Sequence, residues 1–119
     1  LYAQVRAAGA DVRVEVAPTP VGSPPAALQL AVYRILQEAL TNALRHGDGK
    51  AVEVRLAWRP ERVEIEVRNA IVAGAESRPA GHGLVGMIER ASLVGGRLDA
   101  SAHDGTFVVA ATLPIGAPA

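Results

Sequence analysis

Residues 26–47 form the longest periodic stretch of the chain, and their pattern predicts an amphipathic helix. Apolar residues recur every three or four positions, which places them on one face: Leu28, Val32, Ile35, Ala39 and Ala43. Most polar residues fall on the opposite face: Arg34, Gln37, Thr41 and Arg45. Because a long helix with one apolar face must bury that face against other elements, this segment constrains the fold more than any other.

Three polar residues of this helix, Glu38, Asn42 and His46, depart from the pattern. They are spaced four residues apart, so each is the helical neighbour of the next, and the row drifts onto the apolar face. A carboxylate, an amide and an imidazole are costly there unless polar partners meet them. The residues alone leave two explanations open. The row is either a helix edge whose polar groups are satisfied internally, or the wall of a pocket for a polar or ionic ligand.

The segments around this helix alternate between apolar and polar residues, as strands with one buried face do. The alternation predicts strands over residues 11–16, 51–58, 62–68, 97–102 and 107–113, with hairpin turns at 59–61 and 103–105. A second helix is predicted over residues 84–94, with Leu84, Ile88 and Ala91 on its buried face. This order predicts an α+β fold, a two-layer sandwich of a mixed, mostly antiparallel sheet with helices on one face.

The length of 119 residues suits one domain over residues 1–119, in which residues 1–9 are the tail of a preceding helix. Because the chain begins at Leu1 and its only methionine is Met87, we expect a segment of a longer protein. Twelve basic and twelve acidic residues cancel, which argues against nucleic acid or an anionic membrane surface as a direct partner. The chain has no cysteine, which excludes disulfides and fits a cytoplasmic location.

Residues 81–86, with the sequence GHGLVG, place three glycines at the start of the second helix. They directly follow a loop predicted over residues 69–80. Unpaired backbone N–H groups at a helix start bind phosphate, and glycines let the phosphate approach closely. The segment lacks the lysine and the Ser or Thr of a P-loop, and a glycine-rich helix start alone does not identify a ligand.

In combination, these segments resemble the superfamily of histidine kinases and related ATPases, the GHKL or Bergerat-fold ATPases. Its other members include type II topoisomerases, a heat-shock chaperone and mismatch-repair ATPases. Residues 37–47, QEALTNALRHG, resemble the N box of histidine kinases, and residues 81–98, GHGLVGMIERASLVGGRL, resemble the G2 box and its following helix. The nitrate-sensor and DesK-type branch of two-component sensor kinases is the most similar. The resemblance extends from about Val12 to Pro114 and implies the Bergerat ATP-binding fold.

The resemblance implies roles toward ATP and Mg²⁺ for named residues. Asn42 would bind the magnesium ion that bridges the ATP phosphates, because an amide oxygen is a suitable hard ligand. Glu38 would have the catalytic role of holding or polarising a water molecule on that ion. Arg45 would face the phosphates, and His46 would border the nucleotide. The other implied nucleotide-binding residues are Asn69, Gly81, His82, Gly83, Leu84 and Gly86.

The chain departs from the family pattern in the G1 box, where residues 69–73 read NAIVA instead of Asp-x-Gly-x-Gly. In the family, the aspartate accepts a hydrogen bond from the adenine amino group. Asn69 can still accept through its amide oxygen, but a neutral hydrogen bond is about half as strong as a charge-assisted one. We therefore expect ATP to bind, with weakened affinity.

The function implied is that of the ATP-binding catalytic domain of a protein-histidine kinase. It would present the γ-phosphate to a histidine on a separate dimerisation domain, upstream of Leu1, for transfer to a response regulator. The isolated domain would turn over little and contact no membrane, His82 would help shape the lid, and His103 would lie in a hairpin turn. Two alternatives stay open: a serine kinase of the same fold that regulates a sigma factor, and a catalytically degenerate protein-binding module.

Overall fold

The computed structural model describes residues 11–17, 24–71 and 82–115. In chain order the elements are β1 (Asp11–Ala17), α1 (Ala26–His46), β2 (Gly47–Trp58), β3 (Arg62–Ile71), α2 (His82–Leu93), β4 (Arg97–His103) and β5 (Thr106–Pro114). The predicted helical tail over residues 1–9 lies outside the described residues, and so does most of the predicted loop, residues 72–80.

The five strands form one sheet in the order β1-β2-β3-β5-β4. β1 pairs with β2 in parallel, and the other three neighbouring pairs are antiparallel. A parallel pair needs a crossover connection, and α1 lies within the one that joins β1 to β2. The prediction of a mixed, mostly antiparallel sheet is therefore confirmed.

Both predicted hairpins are present. In the first, the Arg59 N–H donates to the Arg62 carbonyl at 2.8 Å and closes the turn between β2 and β3. In the second, Asp104 and Gly105 have φ angles of 51° and 77°. Positive φ at both central residues is typical of a two-residue type I′ turn, whose twist matches that of antiparallel strands.

The core lies between the sheet and the two helices. The apolar face predicted for α1 is buried throughout, with Leu28 3%, Val32 5%, Ile35 0%, Ala39 2% and Ala43 3% exposed. It belongs to one apolar cluster with the inward residues of β2, β3 and β5, such as Val54, Ile65 and Leu113. The predicted two-layer α+β sandwich, with both helices on one side of the sheet, is confirmed.

The second helix differs from its prediction in the face that it buries. Met87 and Ala91 are both 0% exposed, whereas Ile88, which was predicted to face the core, is 41% exposed. Leu84 packs against the core as a half-buried residue. The prediction for Ile88 was wrong because the buried arc of α2 is centred between Met87 and Ala91, with Ile88 about 60° to 100° away around the helix axis.

A Schellman motif ends α2 and fixes its direction. The Gly96 N–H donates to the Ala91 carbonyl at 2.7 Å, and the Gly95 N–H donates to the Ser92 carbonyl at 2.9 Å. Gly95 has φ 77°, the left-handed conformation that this motif requires and that glycine adopts without strain. The chain reverses within these residues, so β4 returns alongside the helix.

Candidate functional site

One end of the sheet brings together the C-terminal half of α1 and the end of β3. α1 is followed directly by β2, so its last turns lie beside the first residues of β2. In the β2–β3 ladder, Gly47 is opposite Ile71 and Val52 is opposite Asn69. The end of β3 therefore lies at the end of the sheet where α1 finishes.

The start of α2 lies at the same end of the sheet. α2 packs on β4 and reverses tightly into it, so the first turn of α2 lies near the last residues of β4. In the register of the sheet, Ala102 of β4 is opposite Phe107 of β5, and Phe107 is opposite Asn69 of β3. The three segments that were predicted to form the site therefore lie at one end of the sheet, which we call the α1–β3–α2 end.

Asn69 is the one polar residue among the buried residues of the described chain, with 7% exposure. It follows Val63, Ile65 and Val67 at alternate positions of β3, so its side chain shares their core-facing side of the sheet. Its Nδ2 donates a hydrogen bond to the Ala70 carbonyl at 3.1 Å. Its Oδ1 has no partner among the described residues and remains available as an acceptor.

Glu38 and Asn42 are half-buried at the edge of the apolar face of α1. Neither side chain has a hydrogen bond or an ion pair within the described part of the chain. By contrast, Thr41 on the same helix is satisfied internally, because its Oγ1 donates to the Gln37 carbonyl at 2.8 Å. Of the two explanations for this polar row, internal satisfaction requires partners for Glu38 and Asn42 that the described residues do not supply.

The structure describes some of the other predicted site residues in full, some by their backbone only and one not at all. Arg45 is exposed near the end of α1, and Gly86 is half-buried in α2. Leu84 contributes to the core. His46, His82 and Gly83 lie within the helices by their backbones only, since their side-chain positions are outside the description, and Gly81 lies outside the described residues altogether.

Two residues that flank Asn69 in the sheet were not among the candidate residues predicted from the sequence. Val52 and Phe107 are its register partners on β2 and β5, and both share its side of the sheet. Val52 is 2% exposed, whereas Phe107 is half-buried. The alternation of each strand indicated the face of these residues, but only the pairing register shows that they flank Asn69.

The face of the sheet that points away from the helices carries charged, solvent-exposed side chains. Glu15 pairs with Arg55 at 3.6 Å, and Glu64 pairs with Arg59 and with Arg62, the latter at 3.4 Å. The hydrogen bond from Arg59 is the main reason why the pKa of Glu64 lies below its ordinary value of 4.5. These pairs are exposed, so they contribute little to stability.

A shallow cavity of about 170 Å³ lies on β1 and β2, and none of the residues predicted to bind a ligand lines it. Its lining consists of Arg13, Val14, Glu15, Glu53, Val54 and Arg55. This volume is below that of ordinary small-molecule pockets, about 300 Å³ or more. We therefore do not assign the ligand site to this cavity, and the α1–β3–α2 end remains the candidate.

The described residues contain no cluster of three or more His, Cys, Asp or Glu side chains that could hold a metal ion. No described helix has the length and apolar character needed to cross a membrane.

Known proteins resemble this chain in sequence and in fold. Oxygen sensor histidine kinase NreB of Staphylococcus carnosus is 38% identical over 86 residues, which cover 68% of this chain and 25% of NreB. The blue-light activated histidine kinase EL346 of Erythrobacter litoralis has a similar fold, with a TM-score of 0.74 at 18% identity over 96% of this chain and 44% of that one. Full-length ShkA, solved in complex with AMPPNP, gives a TM-score of 0.72 at 18% identity over 98% of this chain and 28% of ShkA.

The chain spans a quarter or less of the length of the curated relatives that it matches. The family profile described as histidine kinase-, DNA gyrase B- and HSP90-like ATPase matches residues 27–117, which include all of α1 except its first residue, the whole of α2 and the α1–β3–α2 end. The likeness to the solved structures supports the same fold. The chain therefore belongs to the family of histidine kinase-, DNA gyrase B- and HSP90-like ATPases.

Proposed function

We propose that this chain is the ATP-binding catalytic domain of a cytoplasmic sensor histidine kinase and that it binds Mg-ATP at the α1–β3–α2 end. The observation that carries the proposal is the pair of half-buried side chains, Glu38 and Asn42, on one edge of α1. They have no partner within the described residues, and they lie at the same end of the sheet as the buried Asn69.

The donor set suits a magnesium ion bound through few protein ligands. Amide and carboxylate oxygens are hard ligands, and magnesium is usually held by one or two protein groups, several water molecules and substrate phosphates. Asn42 would coordinate the ion directly, and Glu38, one helical turn earlier, would hold or polarise a bound water molecule.

The remaining site residues would hold the nucleotide. The backbone N–H groups at the glycine-rich start of α2, residues 81–86, suit an anionic phosphate. Arg45 is exposed near the end of α1 and would provide positive charge toward the phosphates. Asn69 would accept a hydrogen bond from the adenine amino group, and His46 and His82 would border the nucleotide. The complex of ShkA with AMPPNP, an ATP analogue, supports this ligand class for the shared fold.

The chemistry of the bound Mg-ATP is phosphoryl transfer, which depends on positioning and charge neutralisation more than on covalent participation by the protein. The residues of this chain would orient the nucleotide so that the γ-phosphate faces outward. The acceptor would be a histidine on a dimerisation domain of the same protein, and a response regulator would then receive the phosphoryl group. The names of the relatives, sensor histidine kinases, support this wider role.

Calorimetric titration of the chain with ATP, in Mg²⁺ and in EDTA, tests the proposal. Asn42→Ala should lower the affinity for ATP in Mg²⁺ by about tenfold or more, equivalent to about 1.4 kcal/mol, and should change the affinity in EDTA little. Thr41→Ala is the matched control, because Thr41 neighbours Asn42 and its hydroxyl donates to the Gln37 carbonyl of its own helix. It should bind as the wild type does.

Two results would contradict the proposal in different ways. Unchanged magnesium-dependent binding by Asn42→Ala would remove Asn42 from the metal site. An absence of ATP binding by the wild-type chain, with and without Mg²⁺, would instead favour the alternative of a protein-binding module.

A further inference from the structure

We propose that the outer edge of β4 pairs with β4 of a second copy of this chain, in antiparallel orientation and with Leu98 on the two-fold axis. The two copies would then share one continuous sheet of ten strands, five from each. The surface concerned contains none of the residues proposed to bind Mg-ATP, so the inference does not depend on the proposed function.

β4 is an edge strand that lacks most of the features that prevent strand pairing. Within the described sheet its one neighbour is β5, and the register between the two strands runs without a shift from Arg97 to His103. Edge strands are commonly protected by proline, lysine, β-bulges or a very short length. β4 has seven residues, RLDASAH, and none of these features. Charged side chains also protect edges, so the charges of β4 determine which strand it accepts.

The hairpin between β4 and β5 determines which backbone groups of β4 point outward. In a two-residue turn the flanking residues, here His103 and Thr106, exchange the hydrogen bonds that close the hairpin. Hydrogen-bonded and non-hydrogen-bonded pairs alternate along an antiparallel ladder. The odd-numbered residues of β4 therefore direct their N–H and C=O groups toward β5, and residues 98, 100 and 102 direct theirs toward the outer edge. A two-fold pairing of β4 must centre on one of these three.

The charges of β4 are available for a partner. Arg97 and Asp99 are exposed on the same face of the strand, and neither forms an ion pair with a described residue. By contrast, Arg13 and Asp11 have the same spacing on β1 and pair with each other at 3.7 Å. Opposite charges two residues apart are complementary to themselves when the strand meets an antiparallel copy.

This complementarity selects one of the three registers. With Leu98 on the axis, Arg97 of each copy is opposite Asp99 of the other, which gives two ion pairs across the interface. Opposite charges at facing positions stabilise a strand pair, and like charges destabilise it. Pairing centred on residue 100 would place Arg97 opposite His103 instead, and pairing centred on residue 102 would place Asp99 opposite the turn residue Gly105.

The helix side of the sheet offers no obstacle to this register. Leu98 is buried, with 7% exposure, and Ala100 is half-buried. The two Leu98 residues would face each other, and Ala100 would face Gly96 of the second copy. These side chains are apolar or small, so none of them brings a charge into the interface. A single strand pair buries less than about 1,200 Å², the range of weak interfaces, and we expect a dissociation constant between about 10 µM and 1 mM.

Charge reversal tests the register, with the dissociation constant measured by sedimentation equilibrium at low ionic strength. Arg97→Asp should raise the dissociation constant by about tenfold or more, because each Asp99 would then face a carboxylate. The double variant Arg97→Asp with Asp99→Arg should restore the wild-type value, since both ion pairs form again with their charges exchanged. Arg34→Asp, exposed on α1, makes the same change in net charge and should leave the dissociation constant unchanged.

A proline in β4 tests the strand pairing independently of charge. Ala100→Pro removes an N–H group that points outward, so the ladder with β5 is kept, whereas a second strand loses a donor and meets the proline ring. Dimers should be undetectable in this variant up to about 1 mM chain. Circular dichroism establishes that each variant retains the fold.

Three results would overturn the inference. The wild-type chain could remain monomeric up to about 1 mM. Folded Ala100→Pro could associate as the wild type does, which would place the interface elsewhere. The dissociation constant could be unaffected by Arg97→Asp, or not be restored by the double variant, which would exclude the register centred on Leu98. None of these measurements involves a nucleotide, so the proposed function is tested separately.

Discussion

Replacing Gly86 with alanine should stabilise the fold and weaken nucleotide binding. Gly86 lies within α2, and a Cβ atom built on it meets no atom within 4 Å apart from its chain neighbours and the nearby backbone of its own helix. The fold therefore has space for a side chain at this position. Glycine in a helix interior is less favourable than alanine by about 0.8 to 1.0 kcal/mol. We expect Gly86→Ala to raise the free energy of unfolding by about that amount.

The effect on ligand binding should have the opposite sign. Gly86 lies in the second turn of α2, next to the free backbone N–H groups of the first turn, which would approach the phosphates. A methyl group there would hold the phosphates away from the donors. Hydrogen bonds to charged groups contribute about 1.5 to 3 kcal/mol each. Losing one of them lowers affinity for Mg-ATP by about tenfold or more.

Two measurements on each variant separate the effects. Urea unfolding followed by circular dichroism gives the free energy of unfolding, and titration calorimetry gives the affinity for Mg-ATP. Ser92→Ala is the matched control, because Ser92 is exposed on the same helix near its opposite end. It should add up to about 0.5 kcal/mol of stability through helix propensity and leave the affinity for Mg-ATP unchanged.

The possible results refute different parts of the reasoning. If Gly86→Ala is more stable and binds Mg-ATP as the wild type does, the start of α2 does not approach the phosphates. If Gly86→Ala is less stable, the space around Gly86 is not open. A loss of affinity in Ser92→Ala as well would show that binding responds to the rigidity of α2 rather than to the added methyl group.

Two further predictions concern the fold. Gly96→Ala should destabilise the protein by about 1 to 3 kcal/mol in urea unfolding, because its Cβ would lie 2.6 Å from the Thr112 backbone oxygen and also clash with Leu113; wild-type stability would contradict this close approach. Because the Arg59 hydrogen bond lowers the folded-state pKa of Glu64 below 4.5, its stabilising contribution is complete above pH 4.5 and is lost as the pH falls through the folded-state pKa. An NMR titration of Glu64 should show that Arg59→Ala returns the pKa toward 4.5, and an unchanged pKa would exclude this cause.

Elements with strong local periodicity could be predicted from the sequence. All five residues predicted for the buried face of α1 are buried, because a helix of 21 residues repeats its pattern many times, but the structure also buries Ala31, Leu36 and Leu40, which were not predicted. The shorter α2 repeats it about three times, so the pattern did not distinguish Met87 from Ile88 as the inward residue. The parallel pairing of β1 with β2 depends on contacts between distant segments, which alternation within a strand does not encode.

The residues of the candidate site differ in the same way: local sequence patterns predicted some of them, and contacts between distant segments determine the others. Glu38 and Asn42 could be recognised because they interrupt a regular pattern, and the structure places both at the edge of the buried face. The site neighbours Val52 and Phe107 could not, since only the sheet register brings them beside Asn69. The burial of Asn69 could likewise not be predicted from the sequence, because β3 was predicted to end near Arg68, whereas the structure extends it to Ile71.

The departures of residues 69–73 from the Asp-x-Gly-x-Gly pattern of the G1 box are physically consistent with one another. With alanine and isoleucine instead of loop-forming residues after Asn69, the chain continues as a strand, in which Ala70 is opposite Thr106 and Ile71 is opposite Gly47. In that conformation the Ala70 carbonyl lies 3.1 Å from the side-chain amide of Asn69. A carboxylate in the same position would place a buried negative charge against a carbonyl oxygen, which is costly at 7% exposure. Asparagine therefore suits the extended strand, and under the proposed function its remaining oxygen would serve as the acceptor for an adenine base.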